Sequence, residues 1–168
     1  MGTKAINQMM QRLLHGEVSR KFAVGDKVIQ TSNDYGIEVM NGTIGRVLDV
    51  DPGSGGGYWI AFDGCGERLI QGEQVLNVQL AYALTAHKAQ GSEFPCAVVL
   101  CHKSHYFADR NWLYTAVTRA SRYCFLLGDR WGLHNAAKKN NTVRRRTFLG
   151  LWASRRSDES IQPLEVPA

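Results

Sequence analysis

The 168 residues contain only four cysteines, four prolines and no long apolar run. Cys65, Cys96, Cys101 and Cys124 form no C-x-x-C pair, and three of them lie in apolar stretches, so reduced, buried thiols are expected rather than a disulfide framework. Cys96, Cys101, His102 and His105 are close enough in sequence to raise a metal centre. Their spacing is not that of zinc ligands, and no metal is expected. The longest uncharged apolar runs, Phe94–Cys101, Leu80–Leu84 and Tyr123–Leu127, are strand-sized and far short of the ~20 residues of a membrane span. The opening Met1-Gly2-Thr3-Lys4 leads into a mixed polar segment, not a signal-peptide core, so a cytoplasmic protein without a membrane partner is expected. A G-x-x-x-x-G-K-[ST] phosphate loop occurs nowhere.

What is present is the composition of a folded domain: 44% hydrophobic and 21% charged residues. Twenty Lys and Arg against fifteen Asp and Glu give a net charge of +5. The excess concentrates between Lys138 and Arg156, where seven cations stand without an acid. Such a run reads equally as a solvated tail or as an arm for nucleic acid.

The chain divides by periodicity. Residues 3–14 predict an amphipathic helix, with Ile6, Met9, Met10, Leu13 and Leu14 as its core stripe, Thr3 as a cap and Gly16 as its end. Short strands are predicted at Asp26–Gln30, Thr43–Val50, Tyr58–Phe62 and Glu67–Ile70. Asn41-Gly42, Asp51-Pro52-Gly53 and Asp63-Gly64 separate them as turns. This predicts a small β-barrel over Thr43–Ile70, with Ile44, Val47, Trp59, Ile60, Phe62 and Leu69 in its core. The Gly53–Gly57 run reads as a hairpin tip.

After Val78 the pattern becomes α/β. Strands are predicted at Gln79–Leu84, Phe94–Cys101 and Tyr123–Leu127, the second of them covered on both faces. A short helix is expected around Thr85–Gly91. A longer one, capped by Asp109, runs to about Ser121 with Trp112, Leu113, Ala116, Val117 and Ala120 as its buried stripe. Strand–helix–strand at this spacing implies a mostly parallel sheet.

Two segments concentrate chemistry. Thr85-Ala86-His87-Lys88-Ala89-Gln90-Gly91-Ser92-Glu93-Phe94 places hydroxyl, imidazole, ammonium, amide and carboxylate groups between two apolar strands. Ligands bind at such strand ends in open α/β sheets. Hydroxyl and backbone N–H groups suit phosphate oxygens, and Gly91 permits close backbone approach. A polar surface turn explains the same residues. In Asn111–Arg122, helical spacing sets Arg119 beside the apolar stripe, where a rooted guanidinium suits bidentate phosphate recognition. A surface ion pair is the plainer alternative.

Together, Thr-x-His-Lys-x-Gln-Gly-x-Glu-Phe and Tyr-x-Ala-Val-Thr-Arg-Ala-x-Arg resemble motifs V and VI of superfamily 1 helicases, and among these the RecD type, which includes the exonuclease V alpha subunit. Gly25–Gln30, Asn33-Asp34-Tyr35, Val39–Gly42 and Arg145-Arg146-Thr147-x-Leu149 are similar to further stretches of that family. The resemblance implies an incomplete RecA-like α/β domain with a mostly parallel sheet (residues 1–42 and 78–150), an inserted SH3-like β-barrel (43–77) and a C-terminal tail (151–168). It implies that Arg119 is the arginine finger, that Gly91 and Glu93 adjoin the nucleotide, and that Thr85, His87, Lys88 and Gln90 contact single-stranded DNA. ATP and Mg2+ are implied only for a full 5′→3′ DNA helicase, since the phosphate cradle belongs to an N-terminal RecA-like domain. The chain alone is expected to be inactive and to be a fragment, a split-gene product or an excised piece. The alternatives are a stand-alone nucleic-acid-binding module, and a subunit that completes the ATP site of a separate ATPase chain.

Overall fold

The computed structural model describes residues 2–51 and 56–140. Pro52–Gly55 of the glycine-rich tip, most of the basic run, the Arg145–Leu149 segment and the tail 151–168 lie outside the described residues. The chain forms two compact units. One comprises residues 1–100 and 114–127, and the other residues 101–113 and the chain from Gly128.

The first unit begins with helix α1 (Thr3–His15). Gly2, not Thr3, is its N-cap. Gly16 ends it as expected, its N–H donating to the Arg12 carbonyl at 2.9 Å. The expected core stripe is not what this helix buries. Met9, Leu13 and Leu14 are exposed, whereas Asn7 and Gln11 are buried. The reason is a demand for hydrogen bonds. Asn7 Nδ2 donates to the carbonyls of Leu80 (3.0 Å) and Ala83 (2.9 Å), and its Oδ1 accepts from Ala83 N–H at 2.7 Å. Buried backbone groups outside a sheet must find partners, and a carboxamide supplies both kinds.

Five strands follow: β1 (Lys27–Gln30), β2 (Ile44–Val50), β3 (Tyr58–Phe62), β4 (Gly66–Ile70) and β5 (Val78–Leu80). They make one antiparallel sheet in the order β4-β3-β2-β1-β5. The sheet draws β1 and β5 from either side of the 43–77 segment. Its core comprises Phe22, Val28, Val39, Val47, Tyr58, Ile60, Phe62, Ile70 and Val78. Along β3, Tyr58, Ile60 and Phe62 point inward. Trp59, expected in the core, is 41% exposed, because side chains alternate faces along a strand and its two neighbours hold the inner one. Ile44 and Leu69 are half-buried.

The strand expected at Gln79–Leu84 stops at Leu80, where Asn7 takes over the backbone, and it pairs with β1 alone. Residues 85–91 form turns rather than a short helix.

Two further strands, β6 (Phe94–Cys101) and β7 (Ala120–Gly128), form a second sheet. Phe94 N–H donates to the Arg119 carbonyl at 2.8 Å, and Asp129 N–H to the Cys101 carbonyl at 3.2 Å. Start thus meets start and end meets end, so the strands run parallel, as predicted. The expected burial is not realised. Val98, Leu100, Tyr123, Phe125, Leu126 and Leu127 are all exposed, because among the described residues the two strands have only each other as sheet neighbours. Between them, α2 (Arg110–Val117) begins as expected at Asp109, whose Oδ1 accepts from Trp112 N–H at 2.9 Å. It ends four residues earlier than expected, where the Thr118 hydroxyl donates back to the carbonyls of Tyr114 and Thr115.

In the second unit, α3 (Arg130–Lys138) is capped by Asp129, which accepts from the N–H groups of Gly132 (2.6 Å) and Lys103 (2.7 Å). These bonds hold the Asp129 carboxyl below its ordinary pKa. Gly132 is required here, because a Cβ would lie 2.6 Å from the His102 carbonyl carbon. Cys101, Ala108 and Ala136 form this unit's core, with Trp112, Leu113 and Leu133 against it. Burial and the nearby Asp129 charge push the Cys101 thiol up. Cys96 is exposed, and no group of three or more His, Cys, Asp or Glu among the described residues is arranged to hold a metal ion. No described helix is long and apolar enough to cross a membrane.

Candidate functional site

The site is built from α1 outward. Below the Asn7 contacts lies a second polar network. Asp26, with no solvent exposure, accepts from Ala23 N–H (2.8 Å), from the Tyr82 hydroxyl (2.7 Å) and from Gln11 Nε2, and lies 3.2 Å from His15 Nε2. Burial and the Asp26 carboxylate push the Tyr82 phenol up to about 12. Asn7, Gln11 and His15, at successive four-residue steps of one helix, therefore fix residues 80–83 and with them the start of the turn that follows.

That turn carries the first predicted segment. Ala89 N–H donates to the Thr85 carbonyl (3.0 Å), Gln90 N–H to His87 (3.2 Å) and Ser92 N–H to Ala89 (3.1 Å). The buried Ala89 anchors it. Thr85, His87, Lys88 and Gln90 all stand exposed on it. Thr85 Oγ1 accepts from Lys88 N–H at 3.3 Å, which leaves the hydroxyl proton available to an acceptor. Lys88 Nζ donates to Gln79 Oε1 at 3.2 Å. Gly91 has φ 89°, and a Cβ there would meet nothing within 4 Å, so its backbone is open to close approach from outside. Glu93 is exposed beside it.

The second segment reaches the first through its arginine. Arg119 is half-buried. Its Nε donates to the Thr115 carbonyl (3.1 Å), Nη1 to the Ser92 carbonyl (3.1 Å) and Nη2 to Thr118 Oγ1 (3.3 Å). Its own carbonyl accepts from Phe94 N–H, and Ser121 Oγ donates to the Phe94 carbonyl at 3.2 Å. Residues 119–121 are thereby stitched to 92–94, which brings Arg119 beside the backbone between Gly91 and Glu93. A guanidinium has five N–H donors; the three bonds leave two for a ligand. Among the described residues, no hydrogen bond joins Arg119 to Thr85, His87, Lys88 or Gln90.

Sequence reasoning missed Asn7, Ser92 and Ser121, which do the positioning. The signal for Asn7 was available: Asn7, Gln11 and His15 form a polar stripe at four-residue spacing. Ser92 contributes its carbonyl, which carries no side-chain signature.

Residues 80–127 match the family described as UvrD-like helicase C-terminal domain. Over 156 residues, 89% of its length, the chain is 36% identical to an ATP-dependent RecD2 DNA helicase of Deinococcus radiodurans, of which it covers 21%. Over 141 residues, 83% of its length, it is 29% identical to the RecBCD enzyme subunit RecD of Haemophilus influenzae, of which it covers 20%. The chain thus spans about a fifth of the length of these relatives, and what it matches is a C-terminal domain of the RecD helicase type. A Pif1 helicase from Bacteroides, crystallised with ADP-AlF3 and ssDNA, superposes with a TM-score of 0.57 at 17% identity over 92% of this chain and 43% of that one. The likeness supports a RecA-like α/β fold.

Proposed function

We propose that this chain is the C-terminal RecA-like portion of an ATP-dependent, RecD-type DNA helicase, with Arg119 as its arginine finger. The observation that carries the reading is the bond from Arg119 Nη1 to the Ser92 carbonyl. It ties the two helicase-like segments together and leaves two guanidinium donors for a γ-phosphate. Catalysis of phosphoryl transfer is mostly positioning and charge stabilisation, and a rooted guanidinium suits both tasks.

Gly91 and Glu93 form the nucleotide-side wall, Glu93 accepting from a ribose hydroxyl. Thr85, His87, Lys88 and Gln90 take the phosphate backbone of single-stranded DNA through hydroxyl, imidazole, ammonium and amide groups. The β2–β4 hairpins, flanked by β1 and β5, serve as the SH3-like insertion of this family. These residues offer one wall of an ATP site. The phosphate cradle and the Mg2+ ligands come from an N-terminal RecA-like domain, in cis or in trans. Work on DNA places the assembled enzyme in the cytoplasm, in repair or recombination.

The test joins the chain to an N-terminal RecA-like domain bearing a phosphate loop and measures ATP turnover with single-stranded DNA. Arg119→Gln is expected to cut turnover by about 10³-fold or more, with DNA binding retained. A folded Arg119→Gln protein turning over ATP at the parent rate overturns the assignment. So does robust turnover by the chain alone.

A further inference from the structure

In the second unit, the loop after β6 and helix α3 enclose a recess of about 290 Å³, lined among others by His102, Lys103, His105, Tyr106, Trp131 and Lys139. Its residues are not those of the helicase-like segments. Tyr106, Phe107 and Trp131 are 79%, 64% and 57% exposed, three large rings in water within one small unit. Scattered exposed apolar residues need no explanation, but a cluster of aromatic faces does.

The loop that presents two of these rings is rigid by construction. His105 N–H donates to the His102 carbonyl (2.8 Å), Ala108 N–H to His105 (3.0 Å) and Lys103 N–H to Asp129 (2.7 Å). Lys139 Nζ donates to the Tyr106 carbonyl, and the Lys139 carbonyl accepts from Arg110 N–H at 2.9 Å. The Phe107 ring stacks on His105 at 5.4 Å and meets Trp112 edge-on at 5.8 Å, and Trp112 packs against the unit's core. The absent side chain at Gly132 lets the first turn of α3, which carries Trp131, lie against residues 102–103. A backbone held in place loses little freedom when a ligand lands on the rings it carries.

The charge is one-sided. Between residues 101–113 and 128–140 stand Lys103, Arg110, Arg130, Lys138 and Lys139 against Asp109 and Asp129. Both acids accept backbone N–H groups at helix starts. The side chain of Lys103, which lines the recess, and that of Arg130, the residue before Trp131 in α3, make no hydrogen bond among the described residues.

We infer that this aromatic-rimmed recess is a binding site for unpaired bases of a single-stranded nucleic acid. Trp131 and Tyr106 stack on base faces while Lys103 and Arg130 take the flanking phosphates. Flat rings interleaved with cations are the chemistry of sequence-tolerant single-strand binding. A duplex keeps its base faces inside the stack, and an acidic peptide has no use for the rings. The site goes beyond the proposed function, because its residues and its demand for bases differ from the backbone contacts assigned to Thr85–Gln90.

The experiment measures fluorescence anisotropy of the full chain with three probes at low salt. They are oligo-dT of about 20 nucleotides, longer than the ~4–16 of a single-strand site, an abasic strand of equal length, and a duplex of equal length. Oligo-dT is expected to bind best. Trp131→Ala and Tyr106→Ala should each weaken oligo-dT about tenfold, with the melting temperature and abasic binding unchanged, and Trp131→Phe should retain most affinity. The Thr85→Ala/His87→Ala protein should keep its preference for oligo-dT over the abasic strand. Equal binding of oligo-dT and abasic strand overturns the inference. So does parent affinity in a Trp131→Ala/Tyr106→Ala protein, or no detectable binding at all. Loss of the preference in the Thr85→Ala/His87→Ala protein alone also overturns it, while leaving the proposed function standing.

Discussion

The two sheets of this chain are both built from apolar strands and end in opposite states. In the five-stranded antiparallel sheet, Val28, Val47, Ile60, Phe62 and Ile70 are each at most 3% exposed. In the β6–β7 pair, Phe125, Leu126 and Leu127 are between 45% and 54% exposed. The first sheet alternates inward and outward residues and supplies its own cover from Phe22 and Val39. The second reads as a continuous apolar run on both faces, the pattern of a strand meant for the middle of a layered α/β domain. Apolar content states what a strand can bury; closure requires a facing layer, and in the second sheet burial is confined to Val99 and Cys101 at the end of β6.

That contrast can be broken experimentally. Ile60→Ala removes a fully buried side chain from the closed core and is expected to cost about 2–5 kcal/mol. Chemical denaturation followed by circular dichroism measures it, and a cost below about 0.5 kcal/mol would mean that this core does not hold the fold. Asn7→Ala comes next. It strands the Leu80 and Ala83 carbonyls and the Ala83 N–H, at about 1–3 kcal/mol. The same denaturation series measures it, and a neutral result would show that water replaces the carboxamide.

Tyr82 sharpens the comparison through pH. Its folded pKa of about 12 lies above the ordinary 10.0. The stability it contributes is therefore complete below pH 10 and lost as pH rises through 12. The difference in absorbance titration near 295 nm between the parent and Tyr82→Phe is expected to show no phenolate from this residue until pH approaches 12. Phenolate formation near pH 10 would mean that the Tyr82–Asp26 bond is not made. The smallest effect belongs to the open sheet. Phe125→Ser, on exposed β7, is expected to change stability within about ±0.5 kcal/mol, and a loss approaching that of Ile60→Ala would mean that β7 is covered after all.

The same contrast explains what was legible in the sequence. Strands β2–β4 were readable to within a residue because their evidence is local: alternation along Tyr58–Phe62 and turn residues at Asp63-Gly64. Trp59 is expected in the core together with Ile60, which the parity of a strand forbids, since adjacent side chains take opposite faces. The polar stripe of α1 is visible in the sequence, but its partners are not, because what Asn7 serves lies 73 and 76 residues away at Leu80 and Ala83. At the candidate site, the exposed group from Thr85 to Gln90 was legible as chemistry without a core role. The Arg119 bond to Ser92 was not, since one partner is a backbone carbonyl.

Asn7 has a consequence for how this protein avoids its own kind. β5 is an edge strand, and unpaired edges are templates on which another chain can add a strand and begin to aggregate. This edge is three residues long, and the carbonyl of its last residue, Leu80, is already taken by a helix of the same chain. The carboxamide acts as a surrogate peptide group: it meets the N–H and C=O of Ala83 as a neighbouring strand would, without offering a further strand behind it. The edge is thus capped from within at its last residue, by a single side chain.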